Sequence, residues 1–155
     1  MNVRLAGLVT ALIALVVLGL AYYAQYGLHL VPCELCLLER WPYRITAALG
    51  ILALVLGGGA GRGLVGLAGL SMAVNVLIAA LHAGVEFHWW PSPLPECNGI
   101  LTPGASLPML PSVSCDRGVY LLSWLPLTMT QMDVIGSICF VILLVFMVSR
   151  TRRGA

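Results

Sequence analysis

The chain has 155 residues, 60% of them hydrophobic and only 9% charged, whereas a soluble domain of this length carries about 25% charged residues. So apolar a chain has too little polar surface to face water, which excludes an ordinary soluble enzyme or a nucleic-acid-binding domain and makes lipid its expected solvent. The net charge of +2 comes from eight basic residues, all arginine, against six acids.

A helix needs roughly 20 mostly apolar residues to cross the hydrocarbon core. The first such segment is 5–28, which holds no charge. It exceeds the about 7–15 apolar residues of a secretory signal, so a retained span is expected. Residues 29–44 form a first outer loop containing "PCELC" at 32–36 and "ERWPYR" after it. The second span, 45–61 ("ITAALGILALVLGGGAG"), is short but can cross if its flanks snorkel. "GGGAGRG" then reads as a tight turn into a third span, 63–83, where Gly63, Gly66 and Gly69 would admit a close neighbouring helix. A Pro-rich second loop covers 84–130, with "YLLSWLPL" set to lie along the surface, and a fourth span covers 133–149. Thr130 and Asp133 are candidates to cap that last helix. The expected fold is therefore an all-α integral membrane protein, one four-helix bundle spanning 1–155.

Arg4, Arg62, Arg150, Arg152 and Arg153 fall at the N-terminus, the second turn and the C-terminal tail. By the positive-inside rule these places are cytoplasmic and both termini lie inside. Arg40, Arg44 and Arg117 lie outside with the acids. Tyr22, Tyr23, Tyr26, Trp41, Tyr43, Trp89, Trp90, Tyr120 and Trp124 cluster near the outer ends, as interfacial anchors do.

Cys33 and Cys36 fall in the first outer loop, and Cys97 and Cys115 in the second. In an oxidising compartment such thiols become disulfides, though four cysteines allow three pairings. Closing a ring between Cys33 and Cys36 contributes only about 2 kcal/mol, against roughly 3 kcal/mol for a Cys97–Cys115 loop. A structural role thus suits the second pair and not the first, which reads as redox chemistry. Arg40, four residues after Cys36, would stand one helical turn away and favour a thiolate. Glu34, between the thiols, would oppose one. Pro42 implies a helix beginning close by, since proline is tolerated in a first turn. Arg44 reads as a lipid-phosphate anchor, Cys139 as a small buried hydrophobe, and His29, His82 and His88 as interfacial groups on residue type alone.

A closed zinc cluster is disfavoured by the wide Cys97/Cys115 spacing, and no metal is expected. No Gly-rich nucleotide loop occurs either. A dithiol at the bilayer edge therefore points to an electron acceptor dissolved in lipid, and a quinone fits.

Taken together, "PCELC" with "ERWPYR", "HAGVEFHWWPSPLPEC" and "SCD" in this order resemble the disulfide bond formation protein B (DsbB) family over nearly the whole length. The resemblance implies a quinone-dependent oxidase of the bacterial inner membrane, using ubiquinone or menaquinone. Such an oxidase regenerates a soluble thioredoxin-fold oxidant of the DsbA type and keeps the periplasm oxidising. It implies that the partner's thiolate attacks Cys97, that the freed Cys115 attacks Cys33, and that Cys36 leaves as a thiolate beside the quinone. Arg40 matches the family's quinone-side arginine. His82, preceding "AGVE", matches its quinone-proximal histidine, with His88 as competitor. Two other classes stay open: an enzyme of the vitamin K epoxide reductase type, against which the early position of "PCELC" counts, and a non-enzymatic membrane protein whose second loop is merely stapled.

Overall fold

A computed structural model describes residues 2–94, 97, 114–120 and 126–152. Within them lie four long helices: α1 (Val3–Tyr22), α2 (Glu34–Leu56), α3 (Gly58–Glu86) and α4 (Met129–Arg152). Helix α1 ends in a π-turn, Tyr23–Gly27. Three segments, Val3–Gly27, Gly58–Glu86 and Met129–Thr151, are long and apolar enough to cross a membrane. Helix α2 is not among them, because its first turns carry Glu34, Glu39, Arg40 and Arg44.

Successive helices run antiparallel. Gly7 packs on Leu54 and Ala11 on Gly50 across α1 and α2. Thr46 and Ser71 donate to the carbonyls of Ala68 and Pro42 across α2 and α3. Gly69 meets Leu144, and Asn75 meets Asp133, across α3 and α4.

Small side chains fill the interior, with Ala6, Ala14 and Ala53 fully buried beside Val65, Met72 and Leu144. Large ones face outward, Leu70 and Leu77 being 65% and 70% exposed. That inversion is stable only against lipid, where helices associate through close backbone contact and not by hiding leucines.

Several expectations are corrected. Helix α2 stops at Leu56, short of residue 61, and α3 already begins at Gly58. The turn is made at Gly57 and Gly58, at φ +63° and +56°, a conformation open to glycine and strained for other residues. Gly63 and Gly66 have nothing near them; the close approach is made by Gly7 and Gly50, where a Cβ would stand 2.6 Å from Leu54 N and 2.7 Å from Ala11 N. Pro42 lies well inside α2 and not in its first turn. Helix α4 is capped by Thr128, whose hydroxyl accepts from Gln131 N–H while Gln131 Oε1 accepts from Thr128 N–H, the reciprocal pattern of a capping box. Cys139 is exposed on α4, not buried. Tyr43 is buried, whereas Tyr23, Tyr26, Trp41, Trp89 and Tyr120 are exposed as anchors should be. Trp124 and the centre of "YLLSWLPL" lie outside the described residues.

Candidate functional site

Helix α2 starts at the dithiol. Cys33 is its extended N-cap, and its Sγ accepts the Cys36 N–H at 3.2 Å. Both sulfurs therefore sit among the unpaired amides of a helix N-terminus, which stabilise negative charge. Glu34 occupies the first helical position and is exposed, where its charge complements the helix dipole.

Cys33 is bridged to Cys36 and Cys97 to Cys115. The two bridges share one buried cluster with Leu35 and Val85, and Leu81 and Leu94 pack against it. Residues up to 82 positions apart in sequence are thus brought to a single place by the antiparallel α2–α3 pair and the second loop.

His82, on the last turns of α3, is only 3% exposed. Its Nδ1 lies 2.8 Å from Glu39 Oε1, and its Nε2 lies 3.6 Å from Cys33 Sγ. His88 is elsewhere: its side chain is 72% exposed and 3.7 Å from Asp116. Ser114 donates to the Asp116 carboxylate and so holds it below the usual carboxylate range.

Arg40 is buried. Its Nη1 donates to Gln25 Oε1 at 2.5 Å, and its guanidinium lies over the Tyr22 ring, 5.1 Å from the centroid. Gln25 is delivered by the π-turn, a local widening of the helix often found at functional sites. Arg44 has a different environment, donating to the Tyr22 hydroxyl at 2.6 Å and covering Trp41.

These groups surround a cavity of about 320 Å³ with mostly apolar walls. Cys33, Cys36, Glu39, Arg40 and His82 line one side, and Leu18, Ala21 and Ala24 of α1 another. Tyr43 and Asp133 also line it. The Tyr43 hydroxyl donates to Asp133 Oδ1 at 2.7 Å, and Asn75 Nδ2 donates to Asp133 Oδ2 at 3.0 Å. A volume of this size, with few convergent polar groups, is that of a small-molecule site. A planar dione head group fits its chemistry, because the walls are apolar while the Arg40 guanidinium offers hydrogen bonds. A second cavity of about 240 Å³ is lined by Cys97, Ser114, Asp116 and His88.

Four of the six sequence candidates, Cys33, Cys36, Arg40 and His82, therefore line one cavity, and Cys115 shares the buried sulfur cluster with Cys33. Cys97 belongs to the same cluster and opens on the second cavity. Glu39, Gln25 and the Tyr43–Asp133–Asn75 set were not singled out as site residues. Their signal was available: an acid three residues after Cys36, and polar side chains inside apolar helices, which mark functional positions in membranes.

The family model described as "Disulfide bond formation protein DsbB" matches residues 3–147. Disulfide bond formation protein B of Pasteurella multocida (strain Pm70) is 28% identical over 150 residues, covering 90% of this chain and 83% of that protein. The uncharacterized protein RP370 of Rickettsia prowazekii (strain Madrid E) is 36% identical over 53 residues, 34% of this chain and 31% of that protein. No solved structure matches.

Proposed function

Since the chain belongs to the DsbB family of disulfide bond formation proteins and has three helices long and apolar enough to cross a membrane, we propose that it is a thiol:quinone oxidoreductase. It takes electrons from a soluble thioredoxin-fold oxidant of the DsbA type and hands them to a membrane quinone, ubiquinone or menaquinone. The observation that carries this reading is the Cys33–Cys36 disulfide: it faces an apolar cavity on one side and packs with the Cys97–Cys115 disulfide on the other.

The chain's own groups then have ordered roles. The partner's thiolate attacks Cys97, reached through the second cavity, and frees Cys115. Cys115 attacks Cys33 within the shared cluster, and Cys36 leaves as a thiolate at the helix N-terminus. Arg40, fixed by Gln25, places a positive charge on the cavity wall, where it steadies that thiolate and any anionic oxygen opposite it. His82 lies on the same wall. A bound quinone supplies the two-electron acceptor.

The protein is placed in the bacterial inner membrane with its disulfides facing the periplasm. Helix α2 serves as the fourth span, its uncharged part 45–56 completing a bundle that α1 and α3 already form around it. Protein in lipid nanodiscs with a short-chain ubiquinone and a reduced thioredoxin-fold dithiol partner should reduce the quinone. Cys36→Ser should abolish that reduction, and undiminished turnover in the variant would refute the scheme.

A further inference from the structure

Cys33 is 6% exposed, and the imidazole that touches it is more deeply buried still. A thiol so buried exchanges its proton with bulk water poorly, and its sulfur can form a bond only as the thiolate. The structure supplies one nitrogen for the task. Glu39 approaches His82 Nδ1 at 2.8 Å. A carboxylate at this position accepts the Nδ1–H, and Nε2 of that tautomer is the ring nitrogen left to take a proton. That Nε2 is the atom 3.6 Å from Cys33 Sγ.

We infer that Glu39 and His82 form an acid–base pair dedicated to Cys33. His82 takes the Cys33 proton whenever the Cys33–Cys36 disulfide is remade, and Glu39 is a positioning residue that fixes the tautomer. This rests on the oxidase reading above. Making the disulfide from two thiols releases two electrons and two protons, and reduction of a quinone to its hydroquinone consumes both. After the exchange Cys33 is bonded to Cys115; the partner's second thiolate closes the partner's own disulfide and frees Cys97, which displaces Cys33 from Cys115. Cys33 takes up a proton on release while Cys36 stays a thiolate, so one of the two protons comes from the Cys33 S–H and the other from solvent. The Cys33 proton moves to Nε2, the sulfur closes on Cys36 Sγ, and the imidazolium returns the proton to the cavity. The contact assigns the histidine to the cysteine that exchanges disulfides, in addition to any part it has at the acceptor.

Other ionisable groups face the same cavity: Arg40 and Tyr43 from α2, Asp133 from α4 and Arg117 from the second loop. The first test holds all of them constant and uses no quinone. In Cys36→Ser protein the ionisation of Cys33 is followed by thiolate ultraviolet absorbance, with the Cys33→Ser/Cys36→Ser double variant subtracted. Adding His82→Gln should raise the pH at which Cys33 ionises by about one unit or more, the scale of histidine's effect on a neighbouring thiol. Glu39→Gln should move it the same way by less, and Glu39→Asp should largely restore it. An unchanged titration in both variants overturns the pair, whatever the quinone result.

The second test is single-turnover oxidation of the reduced protein by a short-chain quinone. His82→Gln should slow it about 10²–10⁴-fold near neutral pH, the usual contribution of a general base, with the deficit shrinking as pH rises. A constant deficit at every pH would mark a merely structural histidine and overturn the inference. Quinone reduction that survives Cys36→Ser refutes the oxidase reading instead, and the Cys33 titration then decides the pair separately.

Discussion

Arg40 brings a full charge to an apolar cavity because two groups receive it: the Gln25 amide oxygen in the π-turn and the face of Tyr22 at the end of α1. Replacing it with methionine keeps the aliphatic stem and removes the charge. The expected result is a rise in the quinone KM of about 10–100-fold, the value of a lost charge-assisted hydrogen bond. The KM for the dithiol partner should stay as it was, and steady-state kinetics with each substrate varied in turn separates the two. Gln25→Ala should give a smaller shift of the same kind. Asp133 makes a different case. It satisfies Tyr43 and Asn75 together, so Asp133→Ala strands two buried donors and should cost about 2–4 kcal/mol, whereas Asp133→Asn keeps an acceptor and should cost less. Thermal unfolding in detergent reads the difference. The sequence disclosed Arg40 through its offset from Cys36, and His82 through "HAGVE". It did not disclose Glu39 or Asp133 as partners, because charge alone assigns both to the wet outer side. Their inward placement, Glu39 buried and Asp133 half-buried, depends on contacts with α3 that no local pattern encodes.

Helix α1 and helix α2 touch through backbone. Gly7 and Gly50 leave room for no Cβ, and Ala6, Ala11, Ala14 and Ala53 extend the same small-residue seam. Gly50→Val should therefore force the helices apart and destabilise the protein by about 1–3 kcal/mol, as overpacking does. It should also slow quinone reduction, since the cavity lies between these helices. Gly66→Val, at a position with nothing within reach, should leave both unchanged, and the two variants side by side check the assignment. The helical segments were legible from apolar runs. Their ends were not. Gly58–Gly61 are helical in spite of glycine's poor propensity, because Gly61 packs against the Ala53 carbonyl and Val3. Pro42 sits mid-helix, where packing against α3 through Ser71 outweighs the missing amide bond. A spaced series of glycines suggested a seam on α3 at 63, 66 and 69; of these Gly69 alone meets a neighbour, Leu144, and the tight backbone approaches fall at Gly7, Gly50 and Gly61.

At the scale of the whole molecule, the arginines divide by end. Arg4 packs at Gly57 and Val3 against Gly61, which puts the start of α1 at the α2–α3 turn. The antiparallel α3–α4 pairing brings Arg150 to that same end, and the sulfurs lie at the other. Positive charge favours the cytoplasmic side, so the disulfides should face the periplasm. The weak link is α2, too short in its uncharged part to insert by hydropathy alone against the roughly 20 residues a lone span needs. In the bundle it has α1 and α3 on either flank, Arg40 bonded inward and Arg44 turned to the aromatic rim, so no charge need meet lipid tails. This is testable in a variant lacking the five native cysteines, with one cysteine introduced at a time. Applied to spheroplasts, a membrane-impermeant maleimide should label Leu28→Cys but not Asn2→Cys or Gly59→Cys, and disruption should expose the latter two. Labelling of Gly59→Cys from the same side as Leu28→Cys would mean that α2 does not cross. The α2–α3 turn would then be parted from the N-terminus it packs against, and the dithiol would lose the helix geometry that sets it over the cavity.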